Sequence, residues 1–358
     1  MTEIDIPGAV GSTVRVTVRP RAKPYADRPT ILEVARAAGV SRATAARVLS
    51  GATNVDASMA AAVAAAAKAQ GYEVNTAARA LRGGRTGAIG LVVAFNELDS
   101  LSGTFLAAVL KGAAAGLSRE DVQPVLLPAD TSERDMALRF LRSRAVDGVI
   151  VILQHEITHL VEQLASAPVP TVWVGRPRAA LSPDAIVVDS DNRGGGAIAA
   201  QALLGAGRRR LGIITGPSDM EPARERERGW CDELARHGLA PVPTANGDFT
   251  MSGGARAMTR LLQRAPDLDG VFASSDLMAM GAIRVLETSG RRVPADVSVV
   301  GFDDVLLAQT CDPPLTTVRQ PLEEMGSVAA RTLLAATRGE LVQRDHVLPT
   351  TLVRRATL

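Results

Sequence analysis

Beyond Arg85 the chain alternates apolar, β-rich runs with helical stretches for its remaining 273 residues. The runs are Ile89–Phe95, Val125–Leu127, Val146–Leu153, Thr171–Val174, Ala185–Val188, Leu211–Thr215, Gly270–Ala273 and Val297–Phe302. Continuous apolar strands separated by helices imply parallel sheets covered on both faces. That length exceeds what one small sheet needs, so two α/β lobes are expected. No repeat of 20–50 residues and no heptad tail interrupts the pattern.

The segment before the body reads differently. Residues 1–28 show neither a helical nor a strand period, carry the basic run Arg15 to Lys23, and are expected to form a flexible arm. From Thr30 short helices follow. Thr30-Ile31-Leu32-Glu33 is a capping-box signature, with Val34, Ala35 and Ala38 as the apolar stripe behind it. Gly39-Val40 marks a turn, and Ser41 suits the N-cap of a second helix through Leu49. Asp56 and Gly71 bracket a third helix from about Ala57 to Gln70, nearly all Ala, which propensity forms and little side-chain volume packs.

Charge separates the same two parts. Residues 1–86 hold 12 Lys/Arg against 6 Asp/Glu, a net +6, and the rest hold 28 against 32, a net −4. A basic front module suggests a nucleic-acid partner. Two cysteines, Cys231 and Cys311, make no disulfide framework and point to a reducing compartment. No apolar run reaches membrane-span length, and the start lacks the basic and apolar regions of a secretory signal. A cytoplasmic protein without membrane association is expected.

Helix, four-residue turn and helix across 31–49 have the spacing of a helix-turn-helix, whose second helix lays its N-terminal residues over base edges in the major groove. Ser41, Arg42, Ala43, Thr44 and Arg47 then occupy the exposed face, and Val40, Ala45, Val48 and Leu49 point inward. The Arg fork suits guanine O6 and N7. Spacing alone leaves open an ordinary three-helix bundle with a solvated Arg face.

The strings TILEVARAAGVSRATAARVLSG and GYEVNTAARALRGGRTGAIGLVV resemble the head and hinge of the LacI/GalR (lactose-repressor-like) family. The resemblance continues through DNRGGGAIAAQALLGAGRRRLGIITGP, RERERGW, FASSDLMAMGAIRVL, VPADVSVVGFDD and PPLTTVRQPLEEMG, covering Pro29 to Arg354. It implies that Arg42, Ala43 and Arg47 face base edges, with Thr30, Ser41, Thr44 and Asn54 on backbone or flanking bases. It further implies a hinge containing Asn75 and Leu81, with Leu81 wedging into the central base step from the minor groove, where the kink brings more protein onto DNA. Ala43 and Ala46 replace residues that are commonly polar, so Arg42 and Arg47 carry most of the readout. Val74 replaces the usual Pro.

The implied architecture is a small all-α helix-turn-helix head (29–73), a hinge (74–87) and an α/β two-lobed, periplasmic-binding-protein-like body with parallel sheets (88–358). Crossovers are expected near Gly175, Asp303 and Val318, giving lobe 1 as 88–175 plus 304–318 and lobe 2 as 176–303 plus 319–358. A small polar effector, a sugar or related metabolite, is implied between the lobes. Its contacts are implied at Phe105, Thr104, Arg226, Ser275, Asp303 and Leu322. An Arg fork and a carboxylate suit hydroxyl-rich ligands through charge-assisted hydrogen bonds. Asp303 as a structural cap in GFDD, and Arg226 as a surface ion pair in the RERER run, remain alternatives. Ser275 stands where Asn is frequent and Leu322 where some members carry an aromatic ring. With only six Phe, two Trp and two Tyr in the chain, a cleft poor in stacking surface is expected.

Function follows from the resemblance: a homodimeric transcriptional regulator, a repressor by family habit, on a pseudo-palindromic operator, with effector binding shifting lobe orientation. No enzyme activity and no cofactor or metal are expected. Two competing readings stand beside it. His155-Glu156-Ile157-Thr158-His159 spells H-E-x-x-H, which would make a metal-dependent hydrolase of His155, Glu156 and His159, but no third ligand lies at a recognisable spacing. A ligand-binding protein with an inert head is the other. Gly194–Gly196 before a helix could face an anion, or simply permit close packing.

Overall fold

The computed structural model describes residues 2–7, 13–18, 29–49, 54–72, 85–93, 103–129, 134–152, 158–165, 169–178, 181–239 and 242–358. The chain divides into two compact units, Met1–Arg85 and Thr86–Leu358. Asn75 and Leu81 lie outside the described residues, as do His155 and Glu156 and the side chains of Thr104 and His159.

The first unit opens with an antiparallel pair, β1 (Thr2–Pro7) and β2 (Thr13–Val18), in which Thr2 faces Val18 and Pro7 faces Thr13. This corrects the expectation of a structureless arm. Both segments alternate branched apolar with polar residues at period two, the pattern of a strand pair. Three helices follow: α1 (Ile31–Ala37), α2 (Arg42–Leu49) and α3 (Ala57–Gln70). The Thr30 N–H donates to Glu33 Oε2 at 2.6 Å and the Glu33 N–H to Thr30 Oγ1 at 3.4 Å, completing the capping box. The Thr44 N–H donates to Ser41 Oγ at 3.0 Å. Asp56 Oδ1 accepts from the Ser58 and Met59 N–H groups, and Gly71 ends α3 at φ 64°. A residue with a side chain is strained at that φ, which is why Gly terminates the helix. The core beneath is small: Val34, Ala35, Ala45, Val63 and Ala67.

Among the described residues, the second unit holds two six-stranded sheets. One contains β3 (Ala88–Val93), β4 (Gln123–Pro128), β5 (Gly148–Ile152), β6 (Thr171–Val174), β7 (Ile186–Ser190) and β13 (Asp345–Leu348), all parallel, in the order β13-β7-β6-β5-β3-β4. The other contains β8 (Leu211–Thr215), β9 (Thr244–Asn246), β10 (Gly270–Ala273), β11 (Ser298–Asp303), β12 (Thr316–Arg319) and β14 (Thr351–Val353), in the order β14-β12-β11-β10-β8-β9, with only β14 antiparallel. Helices α4 (Gly103–Ser118), α5 (Arg134–Arg142) and α6 (Thr158–Ala165) belong to the first lobe. Helices α7 (Asn192–Gly205), α8 (Glu221–Arg236), α9 (Met251–Arg264), α10 (Asp276–Thr288) and α11 (Leu306–Thr310) belong to the second.

The sheets relocate the lobe boundaries. β7 pairs with β6, and helix α12 (Leu322–Thr337) shares the first-lobe core with α4 through Met325, Ala329 and Leu333. The segment 304–318, expected in lobe 1, instead carries β12 on the second sheet. The chain therefore crosses between lobes at 190–192, 319–322 and 348–351; Val318 was expected at a crossing and lies beside the second, whereas Gly175 and Asp303 do not mark crossings and the one at 348–351 was not foreseen. The cause is non-local: strand partners decide the lobe, and no local pattern names the partner.

Few aromatics are needed because helices meet through glycine. A side chain at Gly196 would strike the Arg226 carbonyl, one at Gly229 the Arg193 carbonyl, and one at Gly195 the Phe302 ring. Gly112 and Gly326 play the same part between α4 and α12. The Gly194–Gly196 run is thus a close-packing device, and the Asp191 carboxylate caps its helix by accepting from the Gly194 N–H at 2.8 Å. Gly196→Val forces backbone apart in a close-packed interior. A melting temperature lower by about 5 °C or more is expected by calorimetry, and an unchanged melt contradicts this packing account.

Candidate functional site

Two sets of residues matter, one in each unit. In the head, Ser41, Arg42, Ala43 and Arg47 are exposed on the first two turns of α2, while Thr44 is half-buried. One Arg47 terminal nitrogen donates to the Asn54 backbone carbonyl at 2.9 Å and to its Oδ1 at 2.6 Å. Thr30 is engaged by the Glu33 carboxylate through N–H and hydroxyl. The exposed face combines two guanidinium groups with a hydroxyl and a methyl, a set suited to base edges.

In the body, a cleft lies between the lobes, lined by side chains from both. Phe105, Val174, Gly175, Asp189 and Met325 line it from the first lobe. Asn192, Met220, Arg226, Phe249, Ser275 and Asp303 line it from the second, with Gln320 at a crossing.

Helix periodicity selects Arg226 from its charged run. Arg224 and Arg228 pair with Glu221 and Glu225 on the outer face of α8. Arg226 points inward and is 5% exposed. Its Nε donates to Asn192 Oδ1 at 2.9 Å, and a terminal nitrogen donates to the Ser274 carbonyl at 2.6 Å and to Asp303 Oδ1 at 3.4 Å. Its guanidinium sits 3.8 Å from the Phe302 ring centroid, a cation–π contact in a desolvated place.

The two aspartates of GFDD divide the work. Asp304 is nearly fully buried and anchored by Arg319 at 2.6 Å and Arg355 at 2.5 Å. Asp303 turns into the cleft at the end of β11, with φ 111°, followed by Asp304 at φ 61°. Two consecutive aspartates in left-handed backbone are a strained arrangement of the kind found at ligand clamps. Gln320 Nε2 donates to Asp303 Oδ1 at 2.6 Å. Burial pushes the Asp303 carboxyl up to about 6, against the opposing pull of Arg226 and Gln320. Burial also raises Asp189, against N–H donation from Ser190 and Arg176. Asp276, behind the cleft, is raised well above its usual range by burial and by Asp303. Three carboxyls thus surround one guanidinium, and perturbed groups in a cleft mark function.

The structure brings Phe105, Arg226, Ser275 and Asp303 to this cleft. Ser275 also caps α10, accepting from the Met278 N–H at 3.3 Å. Leu322 does not line it; its side chain packs into the first-lobe core, because α12 belongs to that lobe. Asp189, Asn192, Phe249 and Gln320 were not foreseen. The expected shortage of rings is also corrected. Phe105 and Phe249 line the cleft from opposite lobes, and Phe249 is presented by strained backbone at φ 59°.

Among the described residues, no group of three or more His, Cys, Asp or Glu could hold a metal ion. No described helix is long and apolar enough to cross a membrane.

Residues 30–75 match the bacterial regulatory proteins of the lacI family, and residues 200–358 match a periplasmic binding protein-like domain. The HTH-type transcriptional regulator CelR of Thermobifida fusca is 41% identical over 319 residues, 88% of this chain and 94% of that one. The chain belongs to the LacI family. The ribose operon repressor of Escherichia coli K12 is 32% identical over 311 residues, 85% and 92% of the two chains. A solved CelR–cellobiose complex covers 92% of this chain and 100% of its own, at 40% identity and a TM-score of 0.72. The lac repressor dimer bound to operator and the anti-inducer ONPF covers 92% and 99%, at 25% identity and a TM-score of 0.79. These relatives are named as transcriptional regulators or repressors.

Proposed function

We propose that this protein is a homodimeric, cytoplasmic repressor whose operator affinity is set by a β-linked glucose disaccharide, for which cellobiose is the first probe. The observation that carries this reading is the cleft itself. A guanidinium–carboxylate pair shares the cleft with rings from opposite lobes, a set in which hydroxyls would meet Arg226 and Asp303 and sugar faces Phe105 and Phe249. The 40% identity to a regulator solved with cellobiose supports the choice of sugar. Thermal shift and calorimetric titration with cellobiose, ribose and glucose test it: stabilisation by cellobiose alone is expected, and stabilisation by ribose alone overturns the choice.

In the head, Arg42, Ala43 and Arg47 read bases, with Thr30, Ser41, Thr44 and Asn54 on the backbone and flanks, Asn75 in the hinge and Leu81 as its wedge. Arg42→Ala and Arg47→Ala each weaken selected-operator binding by about 10-fold or more. Non-specific binding, which rests on phosphate neutralisation, changes little. A competition gel shift reads both, and equal loss on both DNAs contradicts base reading.

A further inference from the structure

A closed hydrogen-bonded ring ties the cleft to two of the three lobe crossings. Arg226 Nε donates to Asn192 Oδ1, and Asn192 Nδ2 donates to Asp189 Oδ1 at 3.1 Å. Asp189 Oδ1 also accepts the Ser190 N–H at 2.8 Å. Ser190 Oγ donates to Gln320 Oε1 at 2.5 Å, Gln320 Nε2 donates to Asp303 Oδ1, and Asp303 accepts from Arg226 to close the ring. Ser190 and Asn192 bound the first crossing and Gln320 lies in the second.

The chemistry fixes the direction of the Gln320 amide. The ionised Asp303 carboxylate can only accept, so the amide NH2 must face it; the amide oxygen is then left for the Ser190 hydroxyl. Ser190 and Gln320 are buried, so each broken link strands a polar group away from water. Gln320 also directly precedes Pro321 and α12, the helix packed in the first-lobe core. A change in what Asp303 binds therefore changes the footing of one crossing and, through Ser190, of the other.

We propose that Gln320 is a positioning residue that converts occupancy of the Asp303 carboxylate into lobe orientation, acting through Ser190. This rests on the reading of the cleft as the effector site. Coupling of this kind needs a two-state element that both ligands bias, and the paired crossings supply it.

Two measurements on the full-length protein test the assignment. The first uses no ligand: amide hydrogen exchange in peptides spanning 186–194 and 316–324. Ser190→Ala and Gln320→Leu are each expected to speed exchange in both peptides, including the one that carries no substitution. A change confined to the substituted peptide overturns the link. The second compares operator affinity with and without saturating cellobiose. The wild-type ratio is expected at about 5–150-fold, and Ser190→Ala, which breaks the link to Gln320 from outside the cleft lining, brings it to within about 2-fold of unity at a cellobiose concentration that saturates the variant. A retained ratio overturns the proposal. If cellobiose does not act on the wild type, the choice of effector falls, and the exchange measurement alone decides the role of Gln320.

Discussion

Arg226→Met abolishes the effector response and lowers the melting temperature at pH 8 by about 10 °C, at roughly 2–4 °C per kcal/mol for a unit of this size. Its guanidinium faces Asp303, Asp189 and Asp276, each of which favours its charged form against the cost of burial. Methionine fills most of the volume, so the cost is mainly electrostatic. Removing one partner of a buried ion pair costs about 3–5 kcal/mol, because the other charge stays buried and uncompensated. The sign with pH follows. Without Arg226 the three carboxyls hold their protons more tightly in the native state than when unfolded. A group with a raised native pKa contributes stability below its unfolded value and loses it as pH rises through the native value. The deficit of the variant therefore shrinks between pH 8 and pH 5. Melting curves across that range check it; a deficit independent of pH means that packing on Phe302, not charge, is what Arg226 supplies.

Much of the head was legible because its signals are local. Thr30 and Glu33, Ser41, Asp56 and Gly71 each act within one helical turn, and each stands where the spacing places it. Strands that are continuous apolar runs were legible for the same reason, Thr171–Val174, Leu211–Thr215 and Gly270–Ala273 to the residue. Short strands of mixed polarity were not. Thr244–Asn246, Thr316–Arg319, Asp345–Leu348 and Thr351–Val353 have three or four residues each and include polar ones, so no continuous apolar run marks them. Missing Asp345–Leu348 and Thr351–Val353 is what hid the third crossing, which lies between them, and the first moved because β7 pairs with β6.

In the cleft, the charged pair was visible only through the family resemblance, and helix periodicity then explains why Arg226 rather than Arg224 or Arg228 turns inward. Phe249 gave no warning. It lies in a loop between β9 and α9, and its ring reaches the cleft through a left-handed backbone that sequence spacing does not encode. Counting aromatics over the whole chain misjudged the cleft because placement, not number, sets stacking surface.

Asp303→Asn is expected to separate stability from function. The carboxyl titrates near 6 in the folded protein against an ordinary 3.8, with Arg226 and Gln320 already acting to lower it. A raised native value means that the ionised side chain disfavours the native state at neutral pH. Asparagine keeps an oxygen for the Gln320 amide and removes the charge. The variant should therefore melt several degrees above wild type at pH 7.5. The advantage fades as pH falls through 6 and vanishes only below the ordinary 3.8, where the wild-type carboxyl is protonated in both states. Sugar hydroxyls lose a charged acceptor, whose hydrogen bonds contribute about 1.5–3 kcal/mol each, so cellobiose affinity falls by about 100-fold if two are made. A stabilised protein that no longer responds is the outcome of a site that keeps a buried charge for its ligand. A variant that melts below wild type at pH 7.5 contradicts the claim that burial outweighs the Arg226 pair, and one that still binds cellobiose as tightly removes Asp303 from the site.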